Sequence, residues 1–299
     1  MIRIEHISKS YGNIKAIDDV TFDVHNGEIT AFVGLNGAGK TTTIKVSAGV
    51  IYPDRGDVLI DGYSIIKDKK IASKSVVWVP ELPSFEMDMR AMDYFIYIAG
   101  YLGYPTSEAK ELARELLSRV GLEGAERKRL KDYSQGMKKR FALALSMISD
   151  PQNFLFDEVL NGLDPEGIAF FRNFALELKK EGKAVLFSSH ILSEVENLAD
   201  RVVFIHKGRI VRVMRMDEVR NFVKPYLFLR VENPDSSLLE ILSKYGRVEQ
   251  SGNAFIIRDF NGDIGEVSYS ISTRYKIVEI RMGYSSLEEV FFSIIGDRK

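Results

Sequence analysis

Gly34-Leu35-Asn36-Gly37-Ala38-Gly39-Lys40-Thr41-Thr42, GLNGAGKTT, decides how this chain is read. It obeys G-x-x-x-x-G-K-[ST], a glycine-rich loop whose backbone N–H groups ring the β-phosphate of a nucleotide. Gly34, Gly37 and Gly39 permit backbone angles and close approaches that a Cβ forbids. Lys40 adds a point charge across the β- and γ-phosphates, and the Thr41 hydroxyl can complete a Mg²⁺ shell. A helix starting near Lys40 brings its positive end to the same place. Residues 36–42 (Asn36, Gly37, Ala38, Gly39, Lys40, Thr41 and Thr42) are therefore expected to wrap the nucleotide. The apolar run ITAFV before the loop and TTIKVSAG after it supply the strand and helix that the motif requires.

Working outward, residues 2–7, 19–25, 29–33 and 57–61 read as strands, with Asn26-Gly27 as a turn signal between the second and third. From about 91–103, 107–120 and 136–149 the apolar spacing becomes helical. Strand signals return at 153–157, 184–188 and 202–206, and helical segments at 166–180 and 191–198 follow the first two. Such alternation implies a parallel sheet covered on both faces. Past Met216 the texture changes, and Lys224-Pro225 reads as a boundary after a short helix. The tail runs strand, helix, strand, strand, helix, strand, helix, an order that suggests a small ferredoxin-like α+β domain.

The phosphate loop needs a second half to do chemistry. NFLFDEVLNGLDP (153–165) supplies an apolar strand ending in Asp157 and Glu158. An Asp at that place can hold Mg²⁺ beside Thr41, and a Glu one residue on can orient or deprotonate an attacking water. Standing alone, Asp-Glu after a strand reads as the start of a loop.

Composition narrows the class. The 299 residues are 45% hydrophobic and 28% charged with a net charge of -1, which suits a soluble globular protein and gives no electrostatic argument for nucleic acid. The absence of cysteine excludes disulfides, thiolate metal sites and a cysteine nucleophile. No apolar run approaches the roughly 20 residues that cross a bilayer, and the first residues lack a secretory h-region. A cytoplasmic protein is expected, carried to the membrane by a partner.

Further motifs make residues 1 to about 215 resemble the ATP-binding cassette (ABC) ATPases. YSQGMKKR (133–140) resembles the family's signature loop: Ser134 and Gly136 match, while Tyr133, Gln135 and Met137 depart. The resemblance implies that this helix N-terminus faces the γ-phosphate held by the opposite subunit of a head-to-tail dimer; by itself it reads equally as a Ser N-cap. NGLD (161–164) resembles the loop that crosses the dimer interface, with Asp164 at the matching position. His190 in FSSHIL resembles the switch histidine at the γ-phosphate, and Tyr11 the aromatic that stacks on adenine. VVWVPELPSF aligns with the loop in which the family commonly places a Gln near Mg²⁺; this chain has Glu81, whose carboxylate can still be a ligand but adds negative charge. Val159-Leu160 replace the usual Pro-Thr.

The implied protein is a P-loop ABC cassette, a mixed sheet core with a helical subdomain at about 84–150, covering 1–215. A linker at 216–225 and a ferredoxin-like accessory domain at 226–299 follow. VPELPSF, SQGM, SSHILSEVE and the ending YSSLEEVFFSIIG resemble export-type cassettes. The expected cofactors are ATP and Mg²⁺, with Thr41, Asp157 and Glu81 toward the metal and Glu158 and His190 toward hydrolysis. The expected partners are integral-membrane permease subunits on the cytoplasmic face and a second cassette. MDYFIYIAGYLGY (92–104) offers a floor for a short helix of such a subunit, although Tyr94, Ile98 and Tyr101 at helical spacing also read as core. Two rival classes remain: an ABC ATPase acting on ribosomes or DNA, and a regulatory module that closes without hydrolysing. A single cassette without heptad insertions or cysteine argues against the first, and Glu158 with His190 against the second.

Overall fold

The computed structural model describes residues 1–222, 225–284 and 287–296. The chain divides into two compact units, Met1–Met216 and Asp217–Lys299. Val223 and Lys224, within the expected linker, and Ser285 and Ser286, within the export-like ending, lie outside the described residues.

The first unit opens with β1 (Ile2–Tyr11), β2 (Ile14–Val24), β3 (Glu28–Val33) and helix α1 (Lys40–Ser47). β4 (Arg55–Ile60), the two-residue β5 (Tyr63–Ser64), the one-turn α2 (Lys69–Ala72) and β6 (Val76–Val79) follow. A helical block comprises α3 (Ala91–Tyr101), α4 (Thr106–Arg119) and α5 (Gln135–Ser146). The unit then alternates β7 (Asn153–Phe156), α6 (Pro165–Lys180), β8 (Ala184–Ser189), α7 (Leu192–Leu198) and β9 (Arg201–His206) and ends in β10 (Arg209–Arg215); α8 (Met216–Phe222) opens the second unit.

These strands form two sheets. β2-β1-β4-β5 is antiparallel, and β10-β9-β3-β8-β7-β6 is parallel except for its β10 edge. The Asn26-Gly27 turn therefore does not close a hairpin. β2 belongs to the first sheet and β3 to the second, and the Gly27 N–H donates to the Lys183 carbonyl at 2.9 Å. The inner strands β3, β7, β8 and β9 of the parallel sheet are buried along nearly their whole length; β7 and β8 have no exposed residue. Continuous apolar runs rather than alternation are what such a sheet requires. Both sheets feed one core, in which Ile2, Ile4, Ile7 and Phe22 of the first pack with Phe32, Leu155, Leu186 and Val203 of the second.

In the helical block, α3 buries Ala91, Phe95 and Ala99. Tyr94 and Ile98 are half-buried, but Tyr101 is 86% exposed and Tyr97, one turn earlier, 63%. Tyr101 is thus not core, because the i, i+4 stripe that faces inward starts at Ala91 instead.

The second unit orders its strands β12-β13-β11-β14, from β11 (Pro225–Val231), β12 (Arg247–Ser251), β13 (Ala254–Arg258) and β14 (Ile277–Tyr284). Helices α9 (Ser236–Leu242), α10 (Ile264–Ser272) and α11 (Leu287–Gly296) complete a ferredoxin-like split βαβ arrangement. Its own core joins Leu227, Leu229, Leu238, Leu242, Phe255, Ile257, Val267 and Ile271. Phe255 is fully buried there. Truncation to Ala leaves a cavity as well as lost transfer energy, so Phe255→Ala is expected to cost this unit about 3–5 kcal/mol. Denaturant unfolding of the full chain checks it, through an earlier transition of this unit.

Candidate functional site

The site forms where parallel strands end. β3, β8 and β7 are neighbours in register, Val33 opposite Ser189 and Phe156 opposite Phe187, so the segments leaving their carboxyl ends emerge side by side. That edge is where open α/β sheets bind ligands. Sequence positions 34–42, 157–158 and 190 thereby converge.

The phosphate loop leaves β3 and enters α1 through Gly39, whose φ of 110° is left-handed; a Cβ here would stand 2.7 Å from the Ala16 carbonyl oxygen. Glycine is required at this position. Lys40 is 4% exposed, its ammonium donating to the carbonyls of Gly34 (2.7 Å) and Leu35 (3.3 Å) and lying 3.2 Å from Glu158 Oε1. A cleft of about 340 Å³ opens beside it, lined by Tyr11, Ile14, Lys15, Ala16, Asn36, Gly37, Gly39, Lys40, Thr41, Thr42 and Glu158. Ala38 is not on this wall: it is buried, and its N–H donates to Leu35 O while its carbonyl accepts from Gly208, bracing the loop from behind. Tyr11 closes the cleft from the end of β1 and is half exposed, as a stacking surface must be.

Asp157 is 3% exposed, and its Oδ1 accepts from Thr41 Oγ1 (3.1 Å) and Ser188 Oγ (2.9 Å). Burial pushes its carboxyl above the ordinary aspartate range, the neighbouring Glu158 charge adds to this, and the Ser188 and Thr41 hydrogen bonds offset part of it. The folded state therefore holds this proton more tightly than the unfolded chain. Stability tied to Asp157 is greatest in acid and falls as pH rises through the folded value. Asp157→Asn is accordingly expected to raise the melting temperature at neutral pH while lowering hydrolysis, with thermal melts at pH 5 and 7.5 as the check. The gain should shrink at the lower pH.

Glu158 sits at φ 48°, a left-handed conformation unusual for a non-glycine residue, its N–H anchored to Ser188 Oγ at 2.9 Å. Its Oε2 lies 3.2 Å from His190 Nδ1 and accepts from Asn161 Nδ2 at 2.6 Å. Burial alone would raise this carboxyl, but the Asn161 hydrogen bond and the Lys40 charge outweigh it and hold the group below the ordinary glutamate range. A lowered value keeps it ionised throughout neutral pH. Its stability contribution is present above the unfolded value and is lost as pH falls through the folded one.

Glu81 is exposed and does not line the cleft, its Oε1 accepting from Asn161 Nδ2 at 2.8 Å. Ser134 caps α5, its Oγ accepting from Met137 N at 3.2 Å, and Gly136 follows in the first turn. Asp164 caps α6, accepting from Gly167 N at 2.8 Å. None of Ser134, Gly136 and Asp164 lines the cleft of its own chain. Tyr133, where the family's signature has Leu, is buried edge-on to Phe141 and its hydroxyl donates to Ala125 O, burial pushing it up to about 12. Val159 and Leu160, in place of Pro-Thr, are buried anchors of the loop.

Sequence reasoning passed over Ser188 and Lys139, and it placed Asn161 in the interface-crossing loop without giving its side chain a role. Ser188 had a signal, since a hydroxyl in the fully buried strand AVLFSS needs a partner. For Asn161 no local pattern signals the hydrogen bonds to Glu158 and Glu81.

Together the arrangement can bind a nucleoside triphosphate along an anion-binding loop, and it presents an ionised carboxylate beside the lysine that meets its phosphates. The protein-family model described as ABC transporter matches residues 17–161. "Bacitracin transport ATP-binding protein BcrA" of Bacillus licheniformis is 32% identical over 99% of this chain and 97% of that one. "Lantibiotic transport ATP-binding protein SrtF" of Streptococcus pyogenes is 35% identical over 74% and 93%. The solved "Structure of ATP binding subunit of ABC transporter" superposes with a TM-score of 0.68 at 30% identity, covering 74% of this chain and 92% of that one.

Proposed function

The chain belongs to the ABC transporter ATP-binding proteins, and from that premise we propose that two copies close head to tail over two molecules of ATP. In each site Tyr11 and residues 36–42 of one copy hold the nucleotide. Ser134 and Gly136 of the other complete it from the N-terminus of α5, where exposed N–H groups favour an anion. The single observation that carries this reading is that Lys40 and Glu158 meet on the wall of one cleft, with His190 in contact with Glu158. Within one chain Ser134, Gly136 and Asp164 stay off that cleft wall, which suits residues serving the opposite copy.

A Mg²⁺ ion fits the donors available. Among the described residues no cluster of three or more His, Asp or Glu could cage a metal, and the Thr41 hydroxyl beside the Asp157 carboxylate leaves most positions to phosphate and water, as Mg²⁺ prefers. When bound, the ion would offset phosphate charge; Thr41 and Asp157 would hold it, with Glu81 as the further candidate. Glu158 orients and accepts a proton from the attacking water, and His190, 3.2 Å away, holds Glu158 on one side and the γ-phosphate on the other. Loss of the γ-phosphate removes what bridges the two copies, and they reopen.

No described helix is long and apolar enough to cross a membrane, so the motion is passed to separate permease subunits at the membrane's cytoplasmic face. The exposed Tyr97 and Tyr101 stripe of α3 offers a docking surface for them. The named relatives transport bacitracin and a lantibiotic, which favours export of an antimicrobial peptide. Light scattering with Mg·ATP and Glu158→Gln tests the dimer: a mass doubled by ATP supports it, and a monomer at all ATP concentrations rejects it.

A further inference from the structure

Asn161 is a junction. Its side-chain Nδ2 carries two hydrogens, and the structure gives each a different acceptor: Glu158 Oε2 at 2.6 Å and Glu81 Oε1 at 2.8 Å. Its own carbonyl accepts from the Lys139 ammonium of α5, which also donates to Val159 O at 2.8 Å. Three segments far apart in sequence thus meet at one residue: the loop after β6 through Glu81, the helical block through Lys139, and the carboxylate beside Lys40. Buried Val159 and Leu160 fix the backbone between them.

The chemistry explains why an amide is needed. Two carboxylates joined through one nitrogen cannot be further apart than the two bonds allow, and like charges that close repel. A primary amide donates to both without adding charge, whereas a carboxylate of the same shape donates to neither. Lys139 is half-buried, and its hydrogen bonds to two loop carbonyls keep Asn161 from swinging out.

We propose that Asn161 is a positioning residue that fixes the rotamer of Glu158 from the loop bearing Glu81, so that displacement of that loop or of α5 changes the aim of the hydrolytic carboxylate. The inference rests on the assignment of Glu158 to hydrolysis. The hydrogen bonds of Asn161 run to Glu158, Glu81 and Lys139 rather than to the phosphate loop, so its loss leaves ATP affinity intact and lowers turnover.

The test compares wild type, Asn161→Ala, Asn161→Asp and Glu158→Gln by steady-state phosphate release and by calorimetric titration with a non-hydrolysable ATP analogue in Mg²⁺. Loss of a group that orients a reacting side chain typically costs about ten- to hundredfold in activity. Asn161→Ala is expected to lose kcat on that scale with an unchanged binding isotherm. Asn161→Asp, equal in size, is expected to be at least as slow, because it places a third carboxylate between two others. Glu81→Gln added to Asn161→Asp restores a donor to that pair and is expected to recover part of the loss. Wild-type turnover in both Asn161 variants, with Glu158→Gln inactive, would overturn the junction alone. Weakened binding in step with kcat would reduce Asn161 to a structural role and overturn it as well. A fully active Glu158→Gln would overturn the assignment on which it stands.

Discussion

Glu158→Gln is expected to abolish steady-state ATP hydrolysis, by roughly 10²–10⁴-fold, the range that a general base contributes. Binding should survive. The amide is isosteric, so the left-handed backbone at φ 48° and the N–H bond to Ser188 persist. The Lys40 contact weakens from an ion pair to a hydrogen bond. What disappears is the proton acceptor, since an amide oxygen does not take up a proton near neutrality. Single-turnover phosphate release, paired with nucleotide binding on the same preparation, separates the two effects. Retained hydrolysis would move the base elsewhere, and His190 would be the next candidate.

Lys40→Ala carries the second large effect, and it falls on binding. The ammonium is the charged donor within the phosphate loop itself: it donates to Gly34 O and Leu35 O and balances Glu158. Its removal deletes the charge-assisted bonds to the phosphates, each worth about 1.5–3 kcal/mol, and leaves Glu158 with less positive charge nearby. ATP affinity is expected to fall by about a hundredfold, equivalent to roughly 2.8 kcal/mol. Calorimetry reads this directly. Because Lys40 is almost wholly buried, its loss also takes the donor from the Gly34 carbonyl, while Leu35 O keeps the Ala38 N–H, so a lower melting temperature should accompany the weaker binding.

The phosphate loop and the Asp157-Glu158 pair were legible because their chemistry demands particular residues at fixed spacing, and the elements flanking them have strong periods. The parallel strands β3, β7, β8 and β9 announced themselves as apolar runs, and the helical block by its spacing. The antiparallel sheet was harder to separate from them. In β1 the left-handed backbone at His6, with register shifts on either side, keeps Ile7 on the same face as Ile2 and Ile4 and so breaks the two-residue alternation. β6 was hidden because VVWV runs directly into Pro80 and the Glu81 loop, and the segment reads as loop. β10, RIVRVMR, carries charges at an exposed sheet edge, where they blunt pairing and also mask the strand. Long-range polar contacts were beyond any local pattern. Asn161 to Glu81 spans 80 positions, and the parallel pairing of β6 with β7 brings the segments that leave them side by side.

The most direct measurement of the composite site mixes two disabled chains. Lys40→Ala keeps Ser134 and Gly136 but holds ATP only weakly, and Ser134→Arg keeps the phosphate loop but blocks the face expected to meet the opposite nucleotide. Each alone is expected to hydrolyse almost no ATP. In the mixture, the Lys40→Ala chain supplies Ser134 and Gly136 to the intact loop of its partner, and phosphate release should rise well above the average of the separate preparations. Release equal to that average at every mixing ratio would contradict the head-to-tail sandwich and return the site to a single chain.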